Sequence, residues 1–214
     1  CKDRRLTSVP DPLRTPITGP AGALEVLYEP VAEARALAVI CHPHPLYGGT
    51  LENKVVHTLA RAAQACSMHA LRFNFRGVGA SAGAHDAGRG EVDDLLAAVA
   101  WGRAQAPRLA VHVAGFSFGS AVALAGAAQA GASSVLLVAP PVGRVPVPAA
   151  SVPVPLAVIH GDADELIALG DAQAWAAPAP VTVVPGASHF FHGQLHELKA
   201  AADAFWRDVL ARLA

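Results

Sequence analysis

Continuous apolar runs and amphipathic helical stripes alternate along most of this chain. "ALAVIC" (36–41) is apolar throughout, as a strand covered on both faces is. Residues 51–66 then place Leu51, Val55, Val56, Leu59 and Ala63 on one helical face. "ALRFNF" (70–75) reads as a strand. Val92, Leu95, Leu96 and Val99 form the next helical stripe, 109–115 the next strand and 121–130 the next helix. Short apolar strands follow at 134–139, 156–160 and 181–184. A final helix is marked by Leu195, Leu198, Ala202, Phe205, Val209 and Leu213. The alternation predicts an α/β fold, a mainly parallel sheet of about seven to eight strands with helices on both faces. Ligands of such sheets bind outside the C-terminal ends of the strands.

Prolines refine the picture at two places. Pro10, Pro12, Pro16, Pro20 and Pro30 predict short antiparallel edge strands ahead of the alternation, where a missing amide is tolerated. "VPVPAASVPVPL" (145–156) is a stiffened connector that cannot be helical inside.

At 214 residues the chain is expected to form one domain, 1–214. A hydrophobic fraction of 53% and a charged fraction of 15% fit a compact soluble protein. The net charge of −1 carries no excess of positive charge for nucleic acid or an anionic membrane. Residues 109–143 contain no Lys, Arg, Asp or Glu, which is long enough to suggest a membrane span. Gly115, Ser117, Gly119, Ser120 and Gly131 interrupt it, so it parses as strand, turn, helix and strand. Three cysteines match no zinc spacing; Cys41 and Cys66 end apolar segments and are expected to be buried thiols. That favours a reducing, cytoplasmic setting. Lys2, Arg4 and Arg5 lead into prolines rather than an apolar segment, so no signal peptide is expected.

The strongest chemical signal is "GFSFGS" (115–120), a G-x-S-x-G pattern after a strand and before a helix. A serine on so sharp a turn needs small neighbours two positions to either side. The turn lifts the Ser117 hydroxyl above the sheet, and the Phe118 amide opens the next helix, where negative charge is stabilised. A serine nucleophile needs a base held by a third group. "VIHGDADELI" (158–167) offers Asp162 and Asp164. Gly161 allows a sharp turn that projects Asp164 over the sheet edge, so Asp164 is favoured. "VVPGASHFFHG" (183–193) places His189 in a loop just past a strand, as the base. Within "VICHPHPLYGGT" (39–50), Pro43 and Pro45 have no amide hydrogen. His44 is the preferred second donor to a developing oxyanion, with Leu46 or Tyr47 next. Leu46, Tyr47 and Phe190 are expected to wall a substrate site; Phe116 could do so or belong to the core.

Two rival readings fare worse. Gly77-x-Gly79-x-x-Ala82 resembles a dinucleotide fingerprint, yet no helix begins at its glycines. The expected role is a turn, with Arg76 bracing nearby loops. His42 with His44, and His192 with His196 on a helix start, could suggest a metal. No Cys or carboxylate cluster completes either site, and no metal or cofactor is expected.

With these residues in view, the chain resembles an α/β-hydrolase. "HPHPLYGGTLENKVV" (42–56), "RFNFRGVGASAG" (72–83) and "GEVDDLLAAVAW" (90–101) resemble small bacterial hydrolases akin to dienelactone-hydrolase-like proteins, from "GPAGALE" (19–25) to the last helix. The resemblance implies an intracellular serine hydrolase with Ser117, Asp164 and His189 as its triad. True dienelactone hydrolases carry a cysteine where Ser117 stands, so their chemistry is not implied. Between two strands only 140–154 is present, too short for a lid domain. The expected activity is cleavage of small or exposed carboxylic esters, by a monomer or homodimer. A thioesterase, an amidase or a catalytically silent binding protein on the same fold are the other readings.

Overall fold

The structure is a computed structural model that describes residues 10–212. Eight strands form one sheet in the order β1-β2-β4-β3-β5-β6-β7-β8. β1 (Leu13–Gly19) and β2 (Gly22–Glu29) form an antiparallel pair, and β2 continues antiparallel onto β4 (Met68–Phe73). From β4 through β3 (Ala36–Cys41), β5 (Ala110–Phe116), β6 (Val135–Val138), β7 (Leu156–Gly161) and β8 (Val181–Val184), every pairing is parallel. The proline-rich start therefore supplies one edge strand and one interior strand, not two edges. Pro16 sits on the edge strand β1, where its lack of an amide costs no ladder bond.

Strand periodicity sends alternate residues of β3 to opposite cores. Ala36, Ala38 and Ile40 meet α1 (Lys54–Ala65) and α5 (Leu195–Arg212). Leu37, Val39 and Cys41 meet α2 (Arg89–Gln105) and α3 (Phe118–Gly126). Asn53 caps α1 by accepting from the amides of Val55 and Val56. On α5 the largest fully buried side chain is Trp206, whereas Phe205 is only half-buried; the expected contact at Leu213 lies outside the described residues.

Three further departures from the sequence reading have physical reasons. β4 runs two residues earlier than expected and stops before Asn74 and Phe75, which enter the loop behind the site. α2 buries Glu91 and Asp94 alongside Leu95 and Ala98, polar positions that an apolar stripe does not mark. Asp94 is held by Arg76 through Nε (3.1 Å) and Nη2 (2.9 Å), and Glu91 accepts from the amides of Asp86 and Gly88. α4 (Leu169–Ala176) went unpredicted because its buried face is only Ala172 and Ala176, too small to register as a stripe.

Residues 139–155, between β6 and β7, contain neither helix nor strand, so no lid covers the sheet there. The charge-free stretch 109–143 resolves into β5, α3 and β6. Among the described residues no helix is long and apolar enough to cross a membrane.

Candidate active site

The C-terminal ends of β5, β7 and β8 bring three side chains together. Ser117 lies between β5 and α3 with φ 52° and ψ −123°. That backbone region costs about 1–3 kcal/mol and needs an over-determined surround. The surround is built from the elbow's own small residues. A Cβ on Gly115 would run into the Gly119 carbonyl, and one on Gly119 would lie 2.5 Å from the carbonyl oxygens of both Cys41 and His42. Ser117 N–H donates to Val138 O at 2.9 Å, tying the turn to β6. The Ser120 hydroxyl lies 2.8 Å from Gly115 O and 2.9 Å from Val138 O.

His189 Nε2 is 3.0 Å from Ser117 Oγ, and its Nδ1 is 2.8 Å from Asp164 Oδ2. The ionised carboxylate accepts from Nδ1–H, which leaves Nε2 as the nitrogen facing the Ser117 hydroxyl. Asp164 Oδ1 accepts from the amides of Leu166 (2.8 Å) and Ile167 (2.9 Å). Burial works to raise the Asp164 pKa. Its hydrogen bonds with His189, Ile167 and Leu166 outweigh that and hold it below the usual carboxylate range. Asp162 turns elsewhere, accepting from Gly186 N–H at 2.6 Å. Glu165 accepts from the His189 backbone amide at 3.0 Å. Asp162, Asp164 and Glu165 of "DADE" thus hold the loop that carries His189 at three points, and Glu165 is a participant that the sequence reading missed. Its position next to the favoured acid was the available signal.

No family model matches the chain. A protein of Rickettsia prowazekii (strain Madrid E) of uncharacterised function is 31% identical over 210 residues, covering 87% of this chain and 85% of that protein. Among solved structures, XC6422 of Xanthomonas campestris, described as an α/β serine hydrolase without lid, is 37% identical with a TM-score of 0.83. The match covers 92% of this chain and 94% of that one. An α/β serine hydrolase homologue from Coxiella burnetii is also 37% identical, with a TM-score of 0.82 over 90% of this chain and 96% of that one. This chain belongs to the α/β-hydrolase superfamily. A putative α/β-hydrolase of Agrobacterium tumefaciens is 32% identical to this hydrolase with a TM-score of 0.84, over 90% of this chain and 94% of that one.

In this hydrolase the loop after β3 faces the elbow. His42 is fully buried; its Nε2 accepts from Phe75 N–H at 3.0 Å and its Nδ1 lies 2.6 Å from Pro43 O. Both ring nitrogens are engaged, so His42 braces the loop against the strand end and has no lone pair for a metal. Burial pushes its pKa down to about 4, against the opposing pull of the Pro43 carbonyl and Glu91. Pro45–Tyr47 form a short 3-10 turn. Within it, Leu46 N–H donates to the His44 ring and Tyr47 N–H to His44 O. The amides of His44 and Phe118 donate to no acceptor among the described residues. The two expected oxyanion donors are therefore free, while the Leu46 and Tyr47 amides are occupied. A Cβ on Gly49 would strike the Pro43 carbonyl, so the loop closes only with glycine there.

A cleft of about 830 Å³ opens over Ser117 and His189. Tyr47 and Phe190 line it, together with Arg144, Leu166 and Ile167, which the sequence reading did not name. Leu46, 70% exposed on the 3-10 turn, does not line the cleft. Phe116 is fully buried and packs 5.4 Å from the His189 ring, as core rather than wall.

The other constellations have structural duties. Gly77 N–H donates to Ala82 O in a closed turn, and α2 starts only at Arg89. Arg76 braces that turn on Asp94, as described above. His192 precedes α5, so it does not share a helical face with His196. Among the described residues no group of three or more His, Cys, Asp or Glu could hold a metal.

Proposed function

We propose that this hydrolase is a serine esterase acting on small or exposed carboxylic esters, with Ser117 as nucleophile, His189 as base and Asp164 as the group that orients the base. The observation that carries the reading is the hydrogen-bonded relay Ser117 Oγ–His189 Nε2 and His189 Nδ1–Asp164 Oδ2, at 3.0 and 2.8 Å. Ser117 Oγ bonds to the ester carbonyl carbon as its proton passes to His189 Nε2. The carbonyl oxygen gathers negative charge and is met by the Phe118 and His44 amides, each contributing about 3 kcal/mol by the measured loss of such donors. The intermediate collapses; the C–O bond to the alcohol breaks, and the leaving oxygen takes the proton from His189 Nε2. Water then attacks the acyl-enzyme, giving its proton to His189, and the acid leaves as Ser117 recovers its hydrogen. Asp164 stays ionised throughout and stabilises the imidazolium.

The uncovered cleft supports substrates whose ester group is reachable without a lid movement. Ser117→Ala is expected to abolish labelling by a fluorophosphonate probe and to lower kcat on p-nitrophenyl acetate by roughly 10⁴-fold or more. Wild-type-level hydrolysis by that variant would sink the assignment. Relative rates on the ester, thioester and anilide of one acid decide which acyl bond the site prefers.

A further inference from the structure

A second cavity, of about 520 Å³, adjoins the cleft and shares His44, Phe118 and Val145 with it. It does not touch Ser117 or His189. Its walls are Val92 of α2, Ala121, Val122 and Ala125 of α3, and Pro146 and Val147 of the proline-rich connector. These side chains are apolar and mostly small. At its margin Arg89 Nη2 lies 2.7 Å from Asp86 with the rest of its guanidinium turned to solvent, and His85 Nδ1 lies 2.7 Å from Glu91.

We infer that this cavity receives the acyl part of the substrate, and that the acid released is an uncharged-chain aliphatic acid of medium length. The inference rests on the esterase reading. The argument is one of stereochemistry at the carbon Ser117 attacks. Its four substituents in the intermediate are Ser117 Oγ, the oxyanion, the leaving oxygen and the acyl carbon. The leaving oxygen must reach His189 Nε2 to be protonated, so the alcohol part lies on the side of Phe190, Leu166 and Ile167. The oxyanion is met by the Phe118 and His44 amides. The acyl carbon takes the remaining direction, over the ridge made by the packed His44 and Phe118 rings, which both cavities share. That direction opens between α3 and the connector. An apolar chain there covers the side chains of Val92, Ala121, Val122 and Val147 and loses water along that face.

Ala125 is exposed at the cavity wall, so a larger side chain there fills the cavity without disturbing the core. The test compares kcat/KM for p-nitrophenyl acetate, butyrate, hexanoate and octanoate in the wild type, Ala125→Trp and Val147→Trp. The wild type is expected to gain up to about fourfold per added methylene until the cavity is full (roughly 0.8 kcal/mol for each buried CH₂). Both variants are expected to lower the octanoate-to-acetate ratio by at least roughly tenfold. In Leu166→Trp, on the leaving-group side, the ratio of naphthyl to methyl acetate should shift instead. An octanoate-to-acetate ratio unchanged in both cavity variants overturns the acyl assignment while leaving the esterase reading intact, as does an equal fall in Leu166→Trp. A wild-type protein that neither labels at Ser117 nor hydrolyses any ester overturns both.

Discussion

Glu165 and Asp164 are neighbours in sequence, yet they act on opposite sides of His189. Asp164 meets the ring and Glu165 meets the backbone amide, so the pair sets both the rotation of the imidazole and the height of its loop. Glu165→Ala should free the loop and lower kcat by roughly ten- to a hundredfold, with KM little changed, because misplaced catalytic groups lose rate steeply. Glu165→Gln keeps an acceptor oxygen and should recover most of that loss. Equal kinetics for the Ala and wild-type proteins would show that the loop holds itself. Residue identity made Ser117 and His189 visible in the sequence. It could not reveal Glu165, because a carboxylate on a loop reads the same whether it is solvated or pinning another chain segment.

At the level of elements, the decisive contact is the seating of α3 on the end of β3. Gly119 permits it: the helix backbone rests where any Cβ would lie 2.5 Å from two carbonyl oxygens of Cys41 and His42. The seating also sets the distance between the Phe118 amide on α3 and the His44 amide two residues beyond His42. Gly119→Ala should push the helix away, costing about 1–3 kcal/mol of stability by overpacking. It should also lower kcat through the displaced amide. The check is to measure melting temperature and kcat together; a stability loss with full kcat would separate the seating from the chemistry. The elements themselves were largely legible, since long apolar runs and helical stripes mark buried strands and amphipathic helices. α4 was not, because two alanines are its whole buried face. The interior place of β2 was not either, because strand order follows from pairing rather than from composition.

For the molecule as a whole, two fully buried histidines tie stability to pH. Burial holds both His42 and His112 down to about 4, from an ordinary value of 6.5. Between pH 6.5 and about 4 the unfolded chain binds protons at both positions and the folded chain does not. The stability these two groups contribute is therefore full above 6.5, falls as pH drops through that window and levels off below about 4, with each group worth about 3 kcal/mol at most. Urea unfolding at several pH values should show proton uptake across this window, to which His44 and His69, also held below 6.5 by burial, add. His112→Gln can keep a hydrogen bond to Ser134 Oγ, 2.7 Å from the present ring, and should make the slope measurably shallower. A slope unaffected by that change would place the acid sensitivity elsewhere.

The sequence by itself determined the alternation of strands and helices, the serine turn with glycines on either side, and the chain order of serine, acid and histidine. The first two depend on residues within one turn or one strand of each other, and the third is read directly along the chain. The tertiary structure alone decided the rest: which carboxylate faces His189, which amides stay free, that Leu46 points to solvent, and that α2, α3 and the connector enclose a second cavity. Those features depend on where distant segments meet. Ser117 and His189 are 72 residues apart, and only packing of the sheet brings their loops to the same edge.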